Sequence, residues 1–378
     1  MTARGRALAI LTGLAVFVTG WVVFVAAWSG PAGAGPSGRG AGVAGARAAD
    51  LDAFRDELLV WAPGGFSERE VGRVRDSTRV AAISAVRTGL LPAASGRRGY
   101  RVVPVEAMAV DSNAYISAAG RPGRKLATLL PKGAVLSKTG AKLRRVKSGG
   151  RLRLDGNRSL RVSGVVDDAL LGGYEVALER NLARSYGIQR AAYLLVRPRG
   201  PVEGLQAEIR RLLKGRAVRF ATPGDRPFVR GGDGILPLGV VKDRFGEFAL
   251  PSLRRGRPDP AWTRANLVTR NMPLIGRVRC HRLVVDDLAK AMTALQGQQL
   301  GRLVDVADFR RSGGCWNPHL LRDARGGKLS RHAWGIAVSL KVTADERLIR
   351  TMAQHGFVWG GSFARPDGAH FEWVGRGD

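Results

Sequence analysis

The residues best suited to chemistry lie in the last fifty positions. His332 stands within Ser330-Arg331-His332-Ala333-Trp334-Gly335-Ile336-Ala337-Val338-Ser339, and His370 within Asp367-Gly368-Ala369-His370-Phe371-Glu372. Two imidazoles with a carboxylate three residues before the second suit metal-assisted or general acid/base chemistry. A hydrolytic zinc centre needs three protein ligands and one open position, where bound water loses a proton near neutral pH. A nearby carboxylate can then carry protons to a leaving amine. The plain alternative is a pair of core histidines, hydrogen-bonded and metal-free. Glu372 is two residues beyond His370 and so shares its face of a strand. His355 falls in the last turn of an expected helix, where a cation suits the dipole. His281, beside Cys280, belongs to no ligand pattern and is expected at the surface.

These stretches resemble the zinc site of the M15 peptidases, the D-alanyl-D-alanine carboxypeptidase and L-alanyl-D-glutamate endopeptidase group. That family's first motif reads S-x-H-x-x-G-x-A-x-D, and its second includes D-x-x-H after a strand such as Phe357-Val358-Trp359-Gly360-Gly361. The resemblance covers about the last 115 residues, 262–378. It implies an α+β domain with a small antiparallel sheet, His332 and His370 as zinc ligands, and Asp367 as general base. It also exposes three departures. Ser339 stands where the third ligand, an Asp, is expected, and a neutral hydroxyl is a weak zinc donor. Ser362 replaces the Asp of a G-G-D-W pattern. His319 occupies the position, loosely aligned, of an Arg that steadies substrate and oxyanion charge. Disturbing even an outer partner of a metal costs ~10–100-fold, so losing a ligating carboxylate should cost more. The expectation is zinc held weakly or not at all, in a pseudo-peptidase that binds peptidoglycan stem peptides or a wall enzyme. The alternative is an active carboxypeptidase or endopeptidase with His319 or Glu372 as substitute ligand.

Several elements must position these groups. Leu283, Val284, Leu288, Met292 and Leu295 recur at helical spacing within Arg282–Leu300. Thr343-Ala344-Asp345-Glu346 reads as a capping box opening a helix that Gly356 stops. The segment ending at Ser339 and the run His370–Trp373 read as strands. Cys280 and Cys315 are the only cysteines. In an oxidising compartment a disulfide is their default state.

Residues 49–222 mix short strands and helices in an α+β middle domain. Asp50 reads as the cap of a helix bearing Leu51, Phe54, Leu58 and Leu59. Arg151–Leu154 and Leu160–Val162 alternate around Asp155-Gly156-Asn157, a hairpin pattern. Val202–Lys214 has helical spacing, and Arg79–Ile83, Gly133–Ser137 and Tyr193–Val196 read as strands. The order of elements resembles the extracytoplasmic core domain of MacB/FtsX-type permeases, which implies binding or force relay rather than catalysis. Residues 223–261, rich in Gly, Pro and Arg, read as a connector.

Residues 7–28 form an uncharged apolar run preceded by Arg4 and Arg6. Its 22 residues match a transmembrane helix, with the N-terminus inside by the positive-inside rule. Residues 29–48 read as a flexible linker. The expectation is a single-pass membrane protein with its later domains outside the cytoplasm; a signal peptide cleaved near Ala32-Gly33-Ala34 is the rival reading and exports the same domains. A net charge of +30 then reads first as a solvated basic surface, with attraction to anionic lipid or wall polymers as the sharper alternative. The basic residues are scattered without an aromatic-interleaved stripe, which argues against nucleic acid.

Overall fold

The computed structural model describes residues 57–221, 234–253, 257–305, 314–321, 327–340, 345–363 and 365–375. Its first part is a nine-stranded mixed sheet. In chain order the elements are β1 (Leu58–Phe66), α1 (Glu68–Arg75), β2 (Val80–Arg97), β3 (Tyr100–Val110), α2 (Ser112–Leu129), β4 (Ala134–Ser137) and α3 (Lys138–Arg144). There follow β5 (Arg151–Arg153), β6 (Ser159–Val166), β7 (Val176–Glu179), α4 (Arg180–Arg184), β8 (Ala191–Pro198), α5 (Val202–Leu212) and β9 (Arg219–Ala221). The strand order is β5-β6-β4-β7-β3-β2-β8-β1-β9. β3 with β7 and β4 with β6 are parallel, and the other pairs are antiparallel.

Both faces of this sheet are covered, so its central strands read as continuous apolar runs instead of alternating. Leu59, Trp61, Tyr193 and Leu195 point to the side where Tyr115, Ala118 and Leu126 of α2 pack. Leu58, Val60, Leu194 and Val196 point to the other, against Val71 and Val74 of α1 and Leu205 and Ile209 of α5. The hydrophobic run that reads as one face of a helix at Leu58 and Leu59 is therefore a strand. Tertiary pairing with β8 and β9 overrides its helical spacing. Residues 50–56 lie outside the described residues. The hairpin around Asp155-Gly156-Asn157 is present, with Leu152 opposite Leu160.

The second part adds α6 (Leu238–Phe245), α7 (Pro260–Asn266), the hairpin β10 (Leu267–Met272) and β11 (Gly276–His281), and α8 (Val285–Gly297). After a 3-10 turn at Arg331–Trp334 come β12 (Ala337–Ser339), α9 (Glu346–Gln354), β13 (Phe357–Trp359) and β14 (His370–Trp373). The last three strands form an antiparallel sheet ordered β12-β14-β13. A core of Phe245, Phe248, Trp262, Trp334, Leu288, Met292, Phe357 and Phe371 lies behind it. α9 is capped by Asp345, whose carboxylate accepts from the amides of Arg347 and Leu348. Thr343, the expected cap, lies outside the described residues.

Within the stretch read as a connector, α6 is folded into this core through Leu238, Val241 and Phe245. Its Lys242 is fully buried and donates to Glu175 Oε1 and Oε2 at 2.9 and 2.8 Å. Arg144 donates to the same carboxylate at 3.2 Å and also pairs with Glu247. Burial pulls the Lys242 ammonium below its usual pKa, against the carboxylate beside it. A two-way backbone bridge between Val102 of β3 and Leu250 adds a second tie.

One expectation is corrected. Among the described residues no helix is long and apolar enough to cross a membrane. The longest helix, α2, is interrupted at Gly120 (φ 57°) and carries Arg124 and Lys125, which a hydrocarbon core would not accept. The apolar run 7–28 and the linker 29–48 lie outside the described residues. Among the described residues the fold is α+β and contains no membrane-spanning helix. The membrane anchor, the single-pass location with outer domains and the membrane as partner are not carried further.

Candidate metal centre

Ser330 caps the 3-10 turn that presents His332, accepting from the His332 amide at 3.3 Å. The turn ends at Gly335 (φ 67°), where a Cβ would sit 2.8 Å from the His281 nitrogen. That close approach lets the Gly335 carbonyl accept from the His281 amide at 2.9 Å. Backbone bonds from Asn317 N to His332 O and from Ser330 N to His319 O lay residues 317–319 beside the turn. The disulfide Cys280–Cys315 ties this segment to β11.

His332 is 4% exposed, and its ring is held at both nitrogens. The Cys315 carbonyl can only accept, so Nδ1 carries the proton and donates to it at 3.1 Å. Nε2 is then a lone pair, and Ser339 Oγ lies 3.0 Å away and donates to it. Burial, with help from neighbouring His370, lowers the His332 pKa to about 3. The imidazole is neutral at physiological pH.

Ser339 and His370 are cross-strand partners on β12 and β14. Their side chains therefore leave the same face of the sheet. The His332 and His370 rings approach to 5.2 Å between centroids. Glu372, two residues on, is buried, and its Oε1 lies 3.5 Å from His370 Nε2 and 3.9 Å from Arg331 Nε. Its Oε2 accepts from the Ile235 amide at 3.3 Å, while Arg331 Nη2 donates to the Leu236 carbonyl at 2.8 Å. Glu106 of β3, Ser330, Arg331, His370 and Glu372 line a void of about 20 Å³, room for one water.

The remaining predicted residues stand at the periphery. His319 is exposed and donates from Nδ1 to its own Asn317 carbonyl at 2.8 Å. Its ring is 5.9 Å from that of His332. Asp367 is exposed; its carboxylate accepts from the Ala369 amide at 3.2 Å and its carbonyl from the His370 amide. It closes the turn into β14. Ser362 is exposed and donates to the Trp359 carbonyl. His281, expected at the surface, is buried; it contacts Phe245 edge-on and bonds to the Phe245 carbonyl at 3.2 Å. Burial lowers its pKa to about 4. The Phe245 contact comes from α6, which sequence spacing around Cys280 does not reveal. Arg331 and Glu106 were not legible as part of this cluster; the i+2 spacing from His370 pointed only to Glu372.

The residues do not fit a catalytic zinc ion. Among the described residues no group of three or more His, Cys, Asp or Glu could hold a metal. One imidazole lone pair takes a hydroxyl proton, and the carboxylate nearest the other imidazole is shared with Arg331 and Ile235.

Residues 324–373 match the D-alanyl-D-alanine carboxypeptidase family. The C-terminal part is thus an M15-like peptidase domain, and the matched carboxypeptidase segment spans His332, Ser339, Asp367 and His370. The chain also resembles the periplasmic region of MacB from Actinobacillus actinomycetemcomitans, at 11% identity and a TM-score of 0.32, over 46% of this chain and 92% of that one. It resembles the extracellular domain of the noncanonic ABC-type transporter YknZ from Gram-positive bacteria at 14% identity and a TM-score of 0.33, over 44% of this chain and 100% of that one. No curated protein matches the chain.

Proposed function

We propose that the carboxypeptidase-like domain is a non-hydrolytic recognition module, binding peptides of the peptidoglycan-stem class without cleaving them. The observation that carries this reading is the 3.0 Å bond from Ser339 Oγ to His332 Nε2. The atom that should face a metal is occupied by a proton donor of the chain itself. The void beside His370 and Glu372, about 20 Å³, admits a water and no peptide. The ligand would instead lie on the outer rim, where His319, Ser362 and Asp367 are exposed. Glu372 as a substitute ligand fits less well, because Arg331 and the Ile235 amide compete for its oxygens.

The test is to measure zinc content and hydrolysis of purified muropeptides by the unmodified full chain, alongside direct binding of the same muropeptides. The expected result is well under one zinc per chain, no hydrolysis, and measurable binding. Stoichiometric zinc with cleavage that His370→Ala abolishes would overturn the reading. Absence of both binding and cleavage would remove the recognition role.

A further inference from the structure

Away from the imidazole pair, the nine-stranded sheet ends in an incompletely covered edge. β5 pairs with β6 only at Ser159–Arg161, and Val162 exchanges backbone bonds with Gly149 and Gly150. Beyond that point Gly164–Val166 pair with β4 on one side, while the Ser163 carbonyl accepts from Ser148 Oγ at 3.3 Å. Among the described residues no strand pairs with Gly164–Val166 on the other. A groove of about 720 Å³ wraps this edge. Leu129 forms its wall on one face of β6, so close to Gly164 that a Cβ there would meet Leu129 at 2.7 Å. Ala141 and Val146 form its wall on the other face, with Val165.

The rim is cationic and its charges are unequally matched. Lys142 pairs with Asp243, and Arg144 just before the rim pairs with Glu175 and Glu247. Arg145 and Lys147 are exposed at the rim, and among the described residues no carboxylate pairs with them. An open strand edge presents backbone donors and acceptors in register for another extended chain. Pockets for alternate side chains then select its sequence. Here the pockets are apolar and the rim is positive.

We infer that this edge accepts an extended acidic segment of a partner protein as an added strand beside Gly164–Val166, with apolar side chains entering toward Leu129 and Val146 and carboxylates meeting Arg145 and Lys147. The occupant is set by charge complementarity: two unmatched cations flank an apolar groove on a chain of net charge +30. The competing role for such cations is to guard the edge against any pairing.

The test uses the full chain and a fluorescein-labelled octapeptide of four central Val residues flanked by Glu pairs, which presents apolar side chains to both faces of the edge and carboxylates to the rim. Saturable binding is expected by fluorescence anisotropy. Arg145→Glu with Lys147→Glu should weaken it at least about tenfold, since rim charges steer and select. Both residues are exposed, so an unchanged thermal unfolding midpoint will show that the variant folds. N-methylation of alternate peptide amides, which blocks strand pairing but keeps charge, should abolish binding. Hydrogen exchange at Gly164–Val166 should slow when the unmodified peptide binds. No binding would assign the cations to edge protection and overturn the inference. Binding that survives N-methylation without protection of these amides would also overturn it, as non-specific attraction.

Discussion

Ser339 and His332 are joined by a 3.0 Å hydrogen bond in which the serine hydroxyl donates to the imidazole lone pair. They come from adjacent pieces of one motif, the turn at Arg331–Trp334 and strand β12. The Cys315 carbonyl fixes the tautomer from the other side. Replacing an acceptor-only carboxylate by a hydroxyl changes more than the ligand count. It supplies a proton that neutralises the donor atom a metal would need.

Ser339→Asp removes that proton and adds a negative charge beside His332 and His370. Zinc affinity of the full chain is expected to rise at least about tenfold, read by competition with a chromogenic chelator. Unchanged affinity would mean that the strand does not aim the new carboxylate between the imidazoles. Ser339→Ala should instead leave a buried lone pair unsatisfied and cost about 1 kcal/mol of stability.

Residues that meet through local sequence were readable in advance, and residues that meet through packing were not. The antiparallel strand at His370–Trp373, the helix inside Arg282–Leu300 and the Cys280–Cys315 pair follow from periodicity, short-range spacing or composition. Ser339 beside His370 follows once the two strands are known to pair. Glu106 reaches the same cluster from β3, and α6 brings Phe245 onto His281 and Lys242 onto Glu175. Those contacts depend on how an irregular Gly- and Pro-rich stretch folds back, which carries no periodic signal. Leu58 and Leu59 misled for a related reason: a strand buried on both faces is as apolar as a helix stripe.

The Lys242–Glu175 pair is buried at both ends, so removing one partner leaves an uncompensated charge. Lys242→Met is expected to destabilise the chain by about 3–5 kcal/mol. Adding Glu175→Leu to it should recover part of that loss, though Arg144 would then lose a partner too. Urea unfolding of the single and double variants measures both steps. Equal midpoints for wild type and Lys242→Met would show that the pair does not hold α6 in place.

His332 and His281 have folded pKa values of about 3 and about 4, below an unfolded value near 6.5. The unfolded chain therefore takes up these protons first as pH falls. Their contribution to stability is fully present above about pH 6.5 and is lost as pH drops through 6 and 5 toward the folded values. The slope should reach about 1.4 kcal/mol per pH unit for each histidine in that window. Denaturant midpoints measured from pH 7.5 to 4.5 should fall accordingly, and His281→Gln should flatten the slope by about half.

The disulfide closes a loop with a sequence separation of 35. In the chain-entropy model, opening such a loop costs about 3–4 kcal/mol through the unfolded state. Cys280→Ser with Cys315→Ser should lower stability by about that amount. It should also loosen the Cys315 carbonyl that holds the His332 Nδ1 proton. With that carbonyl displaced, Nδ1 loses the acceptor that fixes its tautomer, and Ser339 is no longer opposed by a single oriented lone pair. Nitrogen-15 shifts of the His332 ring will separate the two effects. A loss of stability with the Nδ1–H tautomer intact would confine the disulfide to a tether on the unfolded chain. A shift toward mixed tautomers would mean that the bridge also orients the imidazole.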